Sequence, residues 1–472
     1  MAEVRNPATA RGLVLALVLL LPLAGCRDPA TEPRILLLIS IDTLRTDRLG
    51  AYGSDLDLTP NLDALAAESQ VFEWAFAPTS FTMPSMSSLL TGRYPEEIGI
   101  LGNRSALAPA VPTLAGALRE RGWRSAAVVS NLVLRRNSGL AAGFDVYDDV
   151  LPDRESARKW PERIAADTTD AAIAVLDGSA SEDEGRLFLW VHYQDPHGPY
   201  TPPEGLRERF LAVERARPDG RRRLPEAAGR GGRGRIPAYQ IVDERREVAF
   251  YRAGYDAEVH YLDTEVGRLL RELTERGLAD TTLVVFTADH GESLGEQDYW
   301  FAHGERLGDS LVRVPLLLRV PGLPPHRRAD VASLVDIFPT LLHRLASLPP
   351  DPEMPGRDLL APDATAGQSV PYLATLGDGH TPRFGIVEDG HKFVLTKRDS
   401  GWRGELFRLG REDRDLSRSE PERALRMRER LADVRANLRR GRHEIRQRLS
   451  EKDHRNLRAL GYIEEPESPE TN

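Results

Sequence analysis

RILLLISID, Arg34 to Asp42, is an almost unbroken apolar run that ends on a carboxylate. A strand buried on both faces reads this way, because neither face meets water. The form returns in RSAAVVSN, which closes at Asn131, and in RLFLWVHYQDPH, which passes through His192 to Asp195 and His197. It returns again in DTTLVVFTADHGE, closing at Asp289 and His290, and in VRVPLLLRV, Val312 to Val320. Helical patterns lie between these runs, at Asn61–Glu68, Thr113–Arg121 and Val248–Arg276. Alternating strand and helix predicts an α/β fold, with a mostly parallel central sheet flanked by helices. Such sheets bind ligands beyond the carboxyl ends of their strands. Asp42, Asn131, His192, Asp289 and His290 all fall there.

The 472 residues are enough for one large domain and a smaller one. The formal net charge of −9 argues against a chain built to bind nucleic acid. We read residues 34–345 as the α/β domain, with a loop insertion over 201–240. Within it, Glu214–Arg235 is rich in Arg, Gly and Pro and reads as an exposed, mobile segment. Beyond it, RFGIVEDGHKFVLTKRDSGWRGELFRL alternates as a small antiparallel sheet with turns at Asp389-Gly390 and Ser400-Gly401. A charged helix over about Glu420–Leu449 is expected to pack on that sheet. Residues 346–472 therefore read as a small C-terminal α+β subdomain with a charged helical tail.

The first residues read as an address. Arg5 and Arg11 precede an apolar run, Leu13 to Leu23, that is short for a membrane span and suits a signal-peptide core. It ends in Leu23-Ala24-Gly25-Cys26, which resembles a bacterial lipobox. Cys26 is the single cysteine, so no intramolecular disulfide is available. The expectation is a signal peptide over 1–25, lipidation of Cys26, and a polar tether over 26–33. The lipid would hold the protein to a membrane of the bacterial cell envelope, periplasmic or outer.

FTMPSMSSLLTGRYP, Phe81 to Pro95, reads as a helix start, with Pro84 in the first turn and Gly92 as the stop. Thr82 is then either part of the cap or a nucleophile held over the helix N-terminus. Asp42, Asp289, His290 and Thr82 together make a sensible donor set for one divalent cation. A hydroxyl bound to that cation loses its proton more easily, and the helix offers backbone N–H groups to an anionic substrate.

ILLLISIDTLRTDRLGAYG, FTMPSMSSLLTGRYP, VHYQDPHGPY and FTADHGESLGEQDYWFAHG, followed by VRVPLLL and GELFRL, resemble in order and spacing the sulfatase-type members of the alkaline phosphatase superfamily. The resemblance implies that superfamily's fold and one metal site at the sheet edge. It implies Asp42, Asp289 and His290 as metal ligands, with Thr82 as both ligand and nucleophile. His197 matches a histidine on the ester oxyanion. His303 matches a residue that contacts the oxyanion or protonates the leaving group. Asn131 and His192 fall on the substrate side, and Arg93 matches a recurring residue whose helix-end position suits a structural role. The implied cofactor is one Ca, Mn or Zn ion. The implied substrate is an anionic ester, a sulfated or phosphorylated small molecule, glycan or lipid.

The departures sharpen this. Where typical sulfatases read Cys or Ser-x-Pro-Ser-Arg, this chain reads Thr82-Met83-Pro84-Ser85-Met86. Threonine is not converted to formylglycine, and Met86 removes the arginine that would steady that group. Thr43 replaces the second Asp of the family's Asp-Asp pair, so the site carries less charge, which argues for zinc or manganese over calcium. Superfamily relatives that use threonine, the nucleotide pyrophosphatase-like enzymes and phosphoethanolamine transferases, attack phosphorus. Water can cleave a phosphothreonine, whereas a sulfothreonine would be stable. The reading is a metal-dependent hydrolase of sulfate or phosphate esters, favouring the phosphoester. Two alternatives stay open: a catalytically inactive, sulfatase-like binding protein, and a phosphoethanolamine-type transferase. Such transferases usually carry several membrane helices, and no candidate follows Cys26.

Overall fold

All seven residues of the first strand, Ile35–Ile41 (β1), are buried. It lies at the middle of a nine-stranded sheet because both its faces are apolar. In the computed structural model the other strands are Gln70–Phe76 (β2), Trp123–Val129 (β3), Val146–Asp148 (β4), Arg186–Tyr193 (β5), Thr282–Ala288 (β6), Arg313–Val314 (β7), Leu316–Arg319 (β8) and His326–Ser333 (β9). The order is β7-β2-β8-β6-β1-β5-β3-β4, with β9 paired to β2. The described residues are 1, 32–152, 161–180, 185–227, 232–348, 351–361, 370–376, 380–438, 444–459 and 462. Residues 2–25 of the expected signal peptide, and Cys26, lie outside them.

From β6 through β1, β5 and β3 to β4 every pairing is parallel. The mostly parallel sheet and its helices are as the sequence pattern implies. Leu36, Leu38, Phe188, Trp190, Val285 and Phe286 are fully buried. Each such side chain contributes about 1.5–3 kcal/mol, so the centre of the sheet anchors the carboxyl-end loops. VRVPLLLRV departs from the expectation of one parallel strand. Val312 closes a short helix, and Pro315 separates β7 from β8, which run antiparallel to β2 and, for β8, to β6. Proline has no N–H for the ladder, so the strand breaks there.

The small antiparallel sheet forms from Tyr372–Thr375, Arg383–Glu388, His391–Arg398 and Gly401–Arg408, in that order. The helix Pro421–Asn437 packs Met427 and Leu431 against Phe384, Ile386 and Phe393 of that sheet. The expected charged helix to Leu449 thus ends at Asn437. Residues 444–459 leave the small sheet and make contacts with the first part of the chain. Ile445 pairs with Ala106, and the Gln447 amide donates to the carbonyls of Asn103, Ser105 and Val133.

The segment read as exposed, Glu214–Arg235, is exposed at most of its described residues. It opens within a helix, Leu206–Ala216, and Glu214, Leu224 and Ala227 of the segment are buried. Residues 228–231 lie outside the described set. Among the described residues no helix is long and apolar enough to cross a membrane.

Candidate active site

Three parallel strands end side by side and deliver the carboxylates and imidazoles. Asp42 follows β1, and its N–H donates to the Tyr193 carbonyl at 3.0 Å. Asp289 follows β6, and its N–H donates to the Ile41 carbonyl at 3.0 Å. His192 is the penultimate residue of β5. Thr43 sits between the strand end and the next loop with φ of 60°, a conformation uncommon outside glycine. That twist turns its N–H onto Asp289 Oδ1 at 3.1 Å. Asp289 Oδ1 also accepts from the His290 N–H at 2.6 Å.

Asp42, His192 and Asp289 each offer a ligand atom, all within 4.8 Å of one another. Asp42 Oδ1, Asp289 Oδ2 and His192 Nε2 are buried without a hydrogen-bond partner among the described residues. Unpaired polar atoms buried together cost free energy unless something charged satisfies them. Burial, and then the nearby Asp289, raises the Asp42 carboxyl well above its usual range. Burial also raises Asp289. The His192 imidazole is pushed down to about 3 by burial and by His290, so it is neutral and available as a donor. His192 Nδ1 meets Ser40 Oγ at 2.8 Å. The tautomer that donates this Nδ1–H leaves Nε2 bare. Two carboxylates and an imidazole fit a divalent cation.

Thr82 is the first residue of the helix Thr82–Thr91, all of whose residues are buried. Its side chain makes no cap bond, because the N-cap residue is Phe81. Thr82 Oγ1 instead stands 3.3 Å from His290 Nε2. Gly92 ends the helix with φ of 67°, as a C-terminal glycine does. One expectation fails here. Met83 N–H is taken by Asn103 Oδ1 at 3.1 Å, and Pro84 has no N–H, so the helix start does not present a row of free donors. Met86 is fully buried in the apolar core.

Two further histidines close the opposite side. His303 Nδ1 lies 3.2 Å from Glu292 Oε1, and its ring centroid is 4.6 Å from that of His290 and 5.2 Å from that of His197. Gly304 brings this loop in: with φ of 91°, a Cβ there would stand 2.7 Å from Phe81, next to Thr82. Glu292 Oε2 accepts from Tyr200 OH at 3.0 Å. Burial raises the Glu292 carboxyl to about 8.

Six segments remote in sequence thus meet at one sheet edge. The chain between residues 34 and 347 matches the family model described as Sulfatase. The chain belongs to the sulfatase family. It is similar to human iduronate 2-sulfatase, at 30% identity over 431 residues, covering 74% of this chain and 76% of that one. It is similar also to choline-sulfatase of Rhizobium meliloti (strain 1021), at 28% over 347 residues, covering 66% and 67%. Among solved structures, the phosphonate monoester hydrolase of Agrobacterium radiobacter superposes with a TM-score of 0.67 at 23% identity, covering 86% of this chain and 96% of that one. The protein is a sulfatase-family hydrolase, and a divalent metal is typical of the family's enzymes.

The structure brings together Asp42, Thr82, Asn131, His192, His197, Asp289, His290 and His303. His192 lies with the two aspartates, and His290 Nε2 stands between Thr82 Oγ1 at 3.3 Å and Asp289 Oδ2 at 3.5 Å. Asn131 does not point an idle amide at a substrate: Nδ2 donates to Asp42 Oδ2 and, at 2.8 Å, to the Tyr462 hydroxyl. Arg93 lies apart, 3.9 Å from Glu97 and donating to the Glu353 carbonyl. Asp195 Oδ2 accepts from Ala165 N–H at the start of the helix Ala165–Ala180. Sequence reasoning passed over Glu292, Gln194 and Tyr462. The first two lie inside motifs already quoted. Tyr462 had only its aromatic character in a charged tail to mark it.

Proposed function

We propose that this protein is a metal-dependent phosphoester hydrolase in which Thr82 is the nucleophile. The observation that carries the reading is Thr82 Oγ1 at 3.3 Å from His290 Nε2, beside the buried Asp42, His192 and Asp289 cluster. Asp42, His192, Asp289, His290 and Thr82 would hold the cation. When bound, the cation supplies positive charge that favours the ionised hydroxyl and the anionic ester.

The residues then have separate tasks. Thr82 Oγ1, its proton released to solvent, attacks phosphorus as the bond to the leaving alcohol breaks. His303, held by Glu292, gives that alcohol its proton. His197 contacts an ester oxygen. Water then cleaves the phosphothreonine, releasing phosphate and restoring Thr82. The buried, uncharged Met86 supports a site without formylglycine, which leaves a threonine ester that water must open. That step is feasible for phosphorus and slow for sulfur. The substrate is an anionic ester of a small molecule, glycan or lipid. The sulfatases named above suit this class, and the phosphorus preference comes from Thr82. Cys26 carries a lipid that anchors the protein in the bacterial cell envelope, a reading supported by the sequence Leu23-Ala24-Gly25-Cys26.

The test compares wild type with Thr82→Ala for nitrophenol release from a matched aryl sulfate, phosphate monoester and phosphate diester, with Mn²⁺, Zn²⁺ or Ca²⁺. Phosphoester turnover that disappears in the variant supports the reading. Sulfate release that survives it overturns the threonine mechanism. For the anchor, labelled fatty acid should enter wild type and not Cys26→Ser.

A further inference from the structure

Tyr462 is fully buried, yet it belongs to the charged C-terminal tail. Its hydroxyl accepts from Asn131 Nδ2 at 2.8 Å and from Gln194 Nε2 at 2.7 Å, and donates to Asp42 Oδ2 at 3.3 Å. One donor and two acceptor positions are all a phenol has, so every one is used. The ring stacks on His197, with centroids 4.6 Å apart and planes 17° from parallel. Gln194 is held in turn by Glu162 Oε1 at 2.8 Å.

The backbone is also fixed. Tyr462 N–H donates to the Leu457 carbonyl at 2.9 Å, and the Tyr462 carbonyl accepts from Asn103 Nδ2 at 3.4 Å. The same Asn103 takes the Met83 N–H beside Thr82. Further back, Arg135 pairs with Asp453 at 3.2 Å, and Gln447 is bonded to three carbonyls. A removable plug would be held by few contacts. This segment is tied down at successive points, and its hydroxyl ends on one carboxylate of the cation cluster.

We propose that Tyr462 is a positioning residue of the active site: its hydroxyl, with Asn131, holds Asp42 Oδ2 so that Oδ1 faces the cation, and its ring backs His197. The inference rests on the metal site of the proposed function. Partners that orient a metal ligand are each worth roughly 10–100-fold in metal affinity.

The experiment is calorimetric titration of the chelator-stripped full protein with Mn²⁺ alone, for wild type and Tyr462→Phe, with the unfolding temperature of each metal-free form. Phenylalanine keeps the ring and removes the hydroxyl. The expected result is roughly 10–100-fold weaker Mn²⁺ binding with little change in the metal-free unfolding temperature. Unchanged Mn²⁺ affinity overturns the proposal. So does weaker binding accompanied by a large loss of metal-free stability, which marks a merely structural residue. Wild type that binds no Mn²⁺ removes the metal site and this role with it. Because affinity is read without turnover, failure of the phosphoester reading leaves this test standing.

Discussion

His290 presents Nε2 to the Thr82 hydroxyl at 3.3 Å, because its Nδ1–H is committed to the Gly291 carbonyl at 2.9 Å. With both groups on one cation, the hydroxyl would lose its proton more easily. Thr82→Ala is expected to lower kcat by roughly 10³-fold or more, since removing a nucleophile disables the whole catalytic unit. Thr82→Ser keeps the hydroxyl and should retain turnover within about tenfold of wild type. Steady-state kinetics on one phosphoester decide it; equal loss in both variants would mean that the oxygen is not the point.

His303 and Glu292 give a second expectation. If His303 protonates the leaving group, His303→Ala should cost little with nitrophenol and roughly 10²-fold or more with a poor alcohol leaving group. Glu292→Gln should show the same trend with smaller losses, because it acts through His303. A loss independent of the leaving group would reassign His303 to holding the ester.

Cation binding should stabilise the fold, because it relieves two buried carboxylates of their mutual repulsion. At a cation concentration 100 times its Kd the gain is about 2.7 kcal/mol. Thermal unfolding of chelator-stripped protein should therefore shift upward on adding Mn²⁺, and Asp289→Asn should abolish most of the shift.

Lys392 ties the small sheet to the loop that follows His303. Its fully buried side chain donates to the Leu307 carbonyl at 2.7 Å and to Asp309 at 2.6 Å, and pairs with Glu412. Lys392→Met leaves two carboxylates without their cation and should cost about 3–5 kcal/mol, read by denaturant unfolding. Adding Asp309→Asn should recover part of it.

Asp47 carries a pH signature. Burial opposes its ionisation, but Arg45 and Arg48 outweigh it and hold the carboxyl well below the usual range. A folded pKa below the unfolded value of about 3.9 gives stability that is present above that value and lost as pH falls toward the folded one. The side chain is 51% exposed, so solvent screening limits the effect to about 1 kcal/mol or less. Asp47→Asn should lower the unfolding temperature at pH 7, and the gap from wild type should close below about pH 4.

Much of the catalytic edge was legible in the chain alone. β1, β5 and β6 announce themselves as apolar runs, and a parallel strand must end where a ligand can meet it, so Asp42, His192, Asp289 and His290 could be placed together before any coordinates. Thr82 and its helix followed from Pro84 and Gly92. What the pattern could not carry was direction and distance. Pro315 broke an apparent strand whose apolar character says nothing about polarity of pairing. The Asn103 side chain consumed a helix-start amide expected to face the substrate. Tyr462 lies 420 positions from Asp42, in a tail whose local charge reads as solvated surface. Burial patterns report what a residue avoids, namely water. Which polar partner a buried tyrosine finds depends on where the folded chain brings the two ends together, and no local periodicity encodes that.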